Sequence, residues 1–315
     1  MQKRIIIDCD PGIDDAIAIL MAIKNPDVRI EAITAVSGNL IADAACKNAL
    51  KILEFMGISD IPVSKGMNKP LVRNHPRDPY SHGDDGLGNH FFPEPVLKAS
   101  EEFAPDTIIE LVTRYPGEIS IAALGPLTNI ALALMKKPEI AAKIREIVLT
   151  GGAFGFNQNA YRNATGDNPA SEWNIYVDPE AADIVFASDV DITAVGLDIA
   201  YNPYVNLISE DYETLRGYAT KEAEFVLDIA EFCHERTFDS SSGLIDAVTM
   251  AGLIEPEIFT VQEISVGVEC VSPLTRGQTV WDRRDHFRWD NLHKIKAVSD
   301  IDARRAVMTI VQAMR

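Results

Sequence analysis

Asp8-Cys9-Asp10-Pro11-Gly12-Ile13-Asp14-Asp15 sets four carboxylates within eight residues, directly after the apolar run Ile5-Ile6-Ile7. Carboxylates that converge repel one another, and some must stay protonated unless a cation joins them. Oxygen-only ligands select hard cations, calcium or magnesium, over zinc. A further acid, Asp246, lies in Gly243-Leu244-Ile245-Asp246-Ala247-Val248-Thr249-Met250, with no Lys or Arg nearby in sequence. A buried ionised carboxylate is costly unless it is paired or bound to metal. Asp246 is therefore a candidate ligand from a distant part of the chain. Plainer readings stand beside these. Asp14 and Asp15 also suit the positive end of a helix, Asp10 a turn, and Asp246 a helix cap.

The elements that must position these acids follow from periodicity. Residues 4–8 read as a buried strand, 14–24 as a helix, 28–36 as a strand and 42–56 as a helix. Strands over 119–124, 146–150 and 191–195 follow, with a helix over 127–136. Asp178-Pro179-Glu180 starts another helix, with Asp as N-cap and Pro at the first helical position. Residues 221–235, 243–253 and 300–314 read as helices, with β signals over 259–271 and 278–282. This alternation predicts an α/β fold: one Rossmann-like domain over 1–315, with a mostly parallel central sheet flanked by helices. Asp10 would then lie in the crevice beyond the carboxyl ends of the strands, where ligands bind. Two long polar stretches, 66–93 (with His75, His82 and His90) and 155–174, read as binding loops.

Composition narrows the partners. The 315 residues are 47% hydrophobic, enough for a sizeable core, and carry a net charge of −18. Such a charge disfavours nucleic acid and anionic membrane surfaces as partners. The N-terminal apolar run is too short for a signal peptide or anchor, and no stretch has the length of a membrane span. Four scattered cysteines without a CxxC pair suggest reduced thiols in a cytoplasmic protein. Asn163-Ala164-Thr165 matches the glycosylation sequon, which carries no meaning in that compartment.

The acidic signature resembles that of the inosine-uridine preferring nucleoside hydrolases. The similarity continues through Ser37-Gly38-Asn39, His82-Gly83, Asp85-Gly86-Leu87-Gly88, Leu124-Gly125-Pro126-Leu127-Thr128-Asn129, Gly151-Gly152-Ala153-Phe154, Glu172-Trp173-Asn174, Val177-Asp178-Pro179-Glu180-Ala181 and Leu274-Thr275-Arg276-Gly277. It implies the nucleoside hydrolase fold, a nucleoside substrate, a Ca2+ cofactor and a homodimer or homotetramer. Asp10, Asp15 and Asp246 would hold calcium by their carboxylates, and Thr128 by its carbonyl. Asp14, Asn39 and Asn174 would grip the ribose hydroxyls. Glu172 would hold the 5′-hydroxyl, with Asn168 assisting. Asp10 would take a proton from the attacking water as the N-glycosidic bond breaks through an oxocarbenium-like transition state.

One position departs from the pattern. Relatives often carry His, or Trp in purine-preferring members, immediately before the last aspartate, and here it is Ile245. Ile neither donates a proton nor stacks a purine. His82 is the first replacement acid, with His234 second and more ordinary on its helix. A cationic nicotinamide riboside, whose leaving group needs no proton, is a substrate consistent with Ile245. Where relatives often have Met, Thr150 adds a hydroxyl. Trp173, between Glu172 and Asn174, reads as core by alternation in an extended segment, and Arg283-Arg284-Asp285-His286 as a solvated turn. Two other functions fit part of the pattern: a calcium-dependent ribosyl-ligand binder without turnover, and a magnesium-dependent phosphatase of the haloacid-dehalogenase type, which shares only Asp8-Cys9-Asp10.

Overall fold

The computed structural model describes residues 2–76, 81–158, 160–161, 168–236, 243–286, 289 and 292–315. The sequon and the middle of the second polar loop lie outside them.

The chain runs β1 (Lys3–Cys9), α1 (Ile13–Lys24), β2 (Val28–Ala35), α2 (Ala42–Met56), β3 (Val63–Lys65), α3 (Ala104–Arg114), β4 (Ile119–Ala123), α4 (Thr128–Lys136) and β5 (Glu146–Thr150). It continues through α5 (Trp173–Val177), α6 (Pro179–Phe186), β6 (Ile192–Val195), α7 (Leu197–Ala200), α8 (Ser209–Tyr218), α9 (Lys221–Glu235) and α10 (Ile245–Ile254). It closes with β7 (Phe259–Val268), β8 (Thr279–Trp281), β9 (His293–Ile301) and α11 (Ala303–Ala313).

All nine strands form one sheet in the order β3-β2-β1-β4-β5-β6-β9-β7-β8. The pairings from β3 through β9 are parallel, and β7 runs antiparallel to both β9 and β8. The α/β class with a mostly parallel, helix-flanked sheet is thus borne out. β1 lies between β2 and β4, so the chain winds outward in one direction and then returns to the other side of β1. This reversal opens a crevice at the carboxyl ends of β1 and β4.

β1 explains itself. Ile5, Ile7 and Cys9 enter the core under α1, α2, α9 and α10, whereas Ile6 enters the core against α3, α4 and α6. Both faces are buried, so the run is continuously apolar, as a central parallel strand requires. α1 is apolar nearly all round, with residues 13–22 buried. It packs along α10, which is buried over 246–253.

Several elements lacked a sequence signal strong enough to read. β3 is three residues long. α3 hides its start behind Phe103 with no side-chain cap. β9 alternates Lys294, Lys296 and Ser299 with buried Ile295, Ala297 and Val298, and the expected helix over 300–314 overran its last residues. Trp173 is corrected: it opens α5 instead of lying in an extended segment, and it is half-buried, 6.1 Å from the Tyr176 ring, not core.

Candidate active site

Asp10 stands one residue beyond β1, in the crevice, and is buried. The turns after the neighbouring strands close on it. A Cβ at Gly38, after β2, or at Gly125, after β4, would overlap the Asp10 carboxylate. Only glycine lets these turns come so near, which gives both residues a role that the sequence reading did not assign. One carboxylate oxygen of Asp10, Oδ2, accepts the Asn39 N–H. Oδ1 is buried without a partner. Asn39, expected at the ribose, is therefore brought to Asp10 through its backbone.

Helix α1 starts immediately afterwards and carries Asp14 and Asp15 in its first turn. Asp15 Oδ2 accepts the Gly12 N–H at 2.9 Å, and its Oδ1 is buried and unpartnered, as is Asp14 Oδ1. Asp246, at the start of α10, reaches the same place. One carboxylate oxygen from each of Asp14, Asp15 and Asp246 lies within 4.8 Å of the others. This trio holds Asp14, expected at the sugar. Asp10, expected at the metal, stands outside it, because its carboxylate is turned into the Gly38–Gly125 cradle.

These acids pay for their crowding electrostatically. Burial, then the charges of Asp15 and Asp14, push the Asp10 carboxyl well above the usual range. Burial and the same two neighbours do so at Asp246. Asp15 is pushed to about 8 by burial and by Asp14. Beneath them, Asp8 accepts Thr34 Oγ1 at 2.6 Å and Asn129 Nδ2 at 2.9 Å, while burial raises it to about 7. Asp14 and Asp246 come within hydrogen-bond reach of each other. Two ionised carboxylates hold that approach only with a shared proton or a cation between them.

The 66–93 loop clamps this corner. His82 Nδ1 accepts the Ile13 N–H at 3.2 Å and lies 3.8 Å from Asp14 Oδ1. A Cβ on Gly12 would overlap the imidazole. Because Nδ1 accepts, the neutral ring carries its proton on Nε2. His75 Nε2–H donates to the Gly38 carbonyl at 2.8 Å. The Asp85 carboxylate accepts the N–H groups of Leu87, Asn89 and Phe91 at 2.6–2.9 Å, and Asn48 ties Asp85 and Pro11 to α2. His234 is exposed on α9; its buried neighbour Cys233 is the one that senses the Asp14 charge.

The opposite wall is held by hydrogen bonds. Glu172 caps α5: its oxygens accept Gly152 N–H at 3.3 Å, Asn174 N–H at 2.9 Å and Ile175 N–H at 3.0 Å. Burial raises it to about 7 against these bonds. Asn174 Nδ2 donates to the carbonyls of Leu124 and Thr150 at 2.8 and 3.0 Å, leaving Oδ1 as its remaining polar atom. Asn168 is engaged at both amide atoms: Nδ2 donates to the Leu274 and Arg276 carbonyls and Oδ1 accepts Ala170 N–H. It fastens the loop to residues 274–276, with both amide hydrogens spent and one lone pair left on Oδ1. Thr128 opens α4, its hydroxyl donating to Asp178 at 2.6 Å.

The arrangement is an oxygen-only cluster beside a cradled carboxylate, a histidine of fixed tautomer and a pre-set amide. It suits attack of water on a sugar bound across the crevice. Comparison with known proteins points the same way. Residues 5–307 match the family model described as inosine-uridine preferring nucleoside hydrolase. The chain is 41% identical to a probable uridine nucleosidase 1 of Oryza sativa subsp. japonica, covering 90% of this chain and 86% of that one. It is 38% identical to the pyrimidine-specific ribonucleoside hydrolase RihA of Citrobacter koseri, covering 96% and 95%. It superposes on a solved plant nucleoside hydrolase, PpNRh1, with a TM-score of 0.87, 34% identity and coverage of 100% and 99%.

Proposed function

The chain belongs to the inosine-uridine preferring nucleoside hydrolase family and hydrolyses ribonucleosides, and on that premise we propose which residues do so and with what ion. The phosphatase and the silent binder fall with that membership.

The cation is calcium. The observation that carries this reading is three orphaned buried carboxylate oxygens, on Asp10, Asp14 and Asp15, beside Asp246. All donors are oxygens, which fits a hard ion of flexible coordination. Asp14, Asp15 and Asp246 would hold it, with Asp10 Oδ1 at the edge. Thr128 would contribute its carbonyl, which has a lone pair beyond the one that its helix uses. When bound, calcium supplies orientation of the sugar diol and a lower pKa for water.

The protein's own groups do the rest. Asp10, held by the Asn39 N–H, takes the proton of the attacking water. Water's oxygen bonds to the anomeric carbon, the C–N bond breaks, and its electron pair leaves with the base. His82 Nε2–H donates a hydrogen bond to the departing base, and the proton that Asp10 took from the water passes on to that base, so the neutral imidazole keeps its own proton. Asn39 and Asn174 Oδ1 face the ribose hydroxyls, and Glu172, with its raised carboxyl, faces the 5′ end. The preferred substrate is a pyrimidine ribonucleoside, uridine foremost. The names of the rice and Citrobacter relatives and the absence of an aromatic at Ile245 support this. We also hold to a single domain, cytoplasmic, acting as a homodimer or homotetramer. The four unpaired cysteines agree with that compartment. Among the described residues, no helix is long and apolar enough to cross a membrane.

Release of free base from uridine, cytidine, inosine, adenosine, guanosine and nicotinamide riboside, with calcium and after chelation, tests the whole reading. Chelator-sensitive release, fastest from uridine, is expected. Faster turnover of inosine would overturn the pyrimidine preference, and release that survives chelation would overturn the cation.

A further inference from the structure

Thr150, the last residue of β5, touches two of the site residues from opposite ends. Its carbonyl accepts Asn174 Nδ2 at 3.0 Å. Its hydroxyl lies 2.7 Å from that of Thr249 and within hydrogen-bond reach of the Asp246 carboxyl. Both threonines are buried, at 5% and 0% exposure.

The direction of these bonds follows from counting protons. A hydroxyl carries one, and an ionised carboxylate none. With Asp246 ionised, as it would be when it holds the cation, Thr150 O–H donates to Asp246 and Thr249 O–H donates to Thr150 Oγ1. Thr249 follows Asp246 by three residues on α10, so both occupy one helix face. The relay leaves α10 at Thr249, passes through the tip of β5 and returns to α10 at Asp246. It fastens the first turn of that helix to the sheet where the crevice opens.

We propose that Thr150 is a positioning residue that holds Asp246 and Asn174 in one fixed relation, with Thr249 anchoring its hydroxyl. The hydroxyl aims the carboxylate at the cation, and the carbonyl aims the amide at the sugar. This rests on the calcium reading above. Hydrogen bonds to a ligand carboxylate govern metal affinity because they set its orientation before the ion arrives.

The test is calcium titration by isothermal calorimetry on the full chain, as wild type, Thr150→Val, Thr150→Ser and Thr249→Val, with melting curves to check folding. Thr150→Val keeps the shape and removes the donor; the expected loss of calcium affinity is about 10–100-fold. Thr150→Ser keeps the donor and loses a methyl; its affinity should stay near wild type. A mere packing role reverses that order, and Ser binding more weakly than Val would overturn the proposal. Thr249→Val leaves the Thr150 donor in place, so a smaller weakening is expected; unchanged affinity would overturn the relay. Wild type that binds calcium alongside an equally tight Thr150→Val sinks this inference alone. Wild type that binds none sinks the calcium reading and this inference with it.

Discussion

The two walls of the crevice manage buried polarity in opposite ways. On the β1–α1 side, Asp10, Asp14 and Asp15 each keep a buried oxygen with no partner. On the β5–α5 side, Glu172, Asn168 and the amide nitrogen of Asn174 are all bonded to backbone groups. An unmet buried polar atom costs about 1–3 kcal/mol, more when charged, so the first wall is the strained one. It is stable only with protons or an ion, whereas Glu172, Asn168 and the Asn174 amide nitrogen on the second already have their partners without a ligand. One wall is built to be finished by what binds, the other to present a fixed shape.

The largest expected effect falls on the unfinished wall. Asp10→Asn keeps the size and the Asn39 contact and removes the base. Base release under saturating uridine should fall about 10²–10⁴-fold, the usual worth of a general base, with melting behaviour preserved. Near-normal turnover would take Asp10 out of the mechanism and leave the asymmetry of the walls without a catalytic meaning.

Next comes the coupling of stability to pH. Asp8, Glu172 and Asp15 have ordinary values of 3.8–4.5 in the unfolded chain and are raised to about 7, 7 and 8 when folded. The folded state therefore binds more protons across that window, and stability must fall as pH rises through it. Without calcium, the melting temperature should drop between pH 5 and 8. On the proposed calcium reading, the ion would replace the protons of the Asp14–Asp15–Asp246 trio, so saturating calcium should flatten the slope; at about 100 times its Kd it would add roughly 2.7 kcal/mol. A calcium-free protein whose stability rises over that window would contradict the raised carboxyls.

The smallest effect belongs to the finished wall. Asn168→Ala removes three hydrogen bonds to backbone groups, at Leu274, Arg276 and Ala170, of which the Arg276 carbonyl keeps the Ser171 hydroxyl. It should cost about 1–3 kcal/mol in urea denaturation and leave calcium affinity unchanged. If calcium binding weakens instead, the two walls are coupled and do not act separately.

Much of this was legible in the chain. Ala42–Met56, Glu146–Thr150 and Lys221–Glu235 stand where their periodicity puts them, and Asp178 caps α6 as its Asp-Pro pair implies. The acidic signature after β1 and the distant Asp246 could be picked out because an acid among apolar residues is costly and so conspicuous. That part needs only local pattern, and pattern belongs to the sequence.

The tertiary structure decided what depends on several segments arriving together. That Asp14 and not Asp10 joins the tight trio follows from Gly38 and Gly125 closing on Asp10 from two different strands. His82 acquires its tautomer from Ile13, 69 positions away. Asn168 and Glu172 look like free ligands in the sequence, yet their polar atoms are engaged by backbone groups. Thr150 meets Thr249 only because β5 ends beside α10. Hydrogen bonds reach about 3 Å and have direction; spacing along the chain carries neither property, so which polar atom is spent and which is left for a ligand is settled only when the fold brings the partners into range.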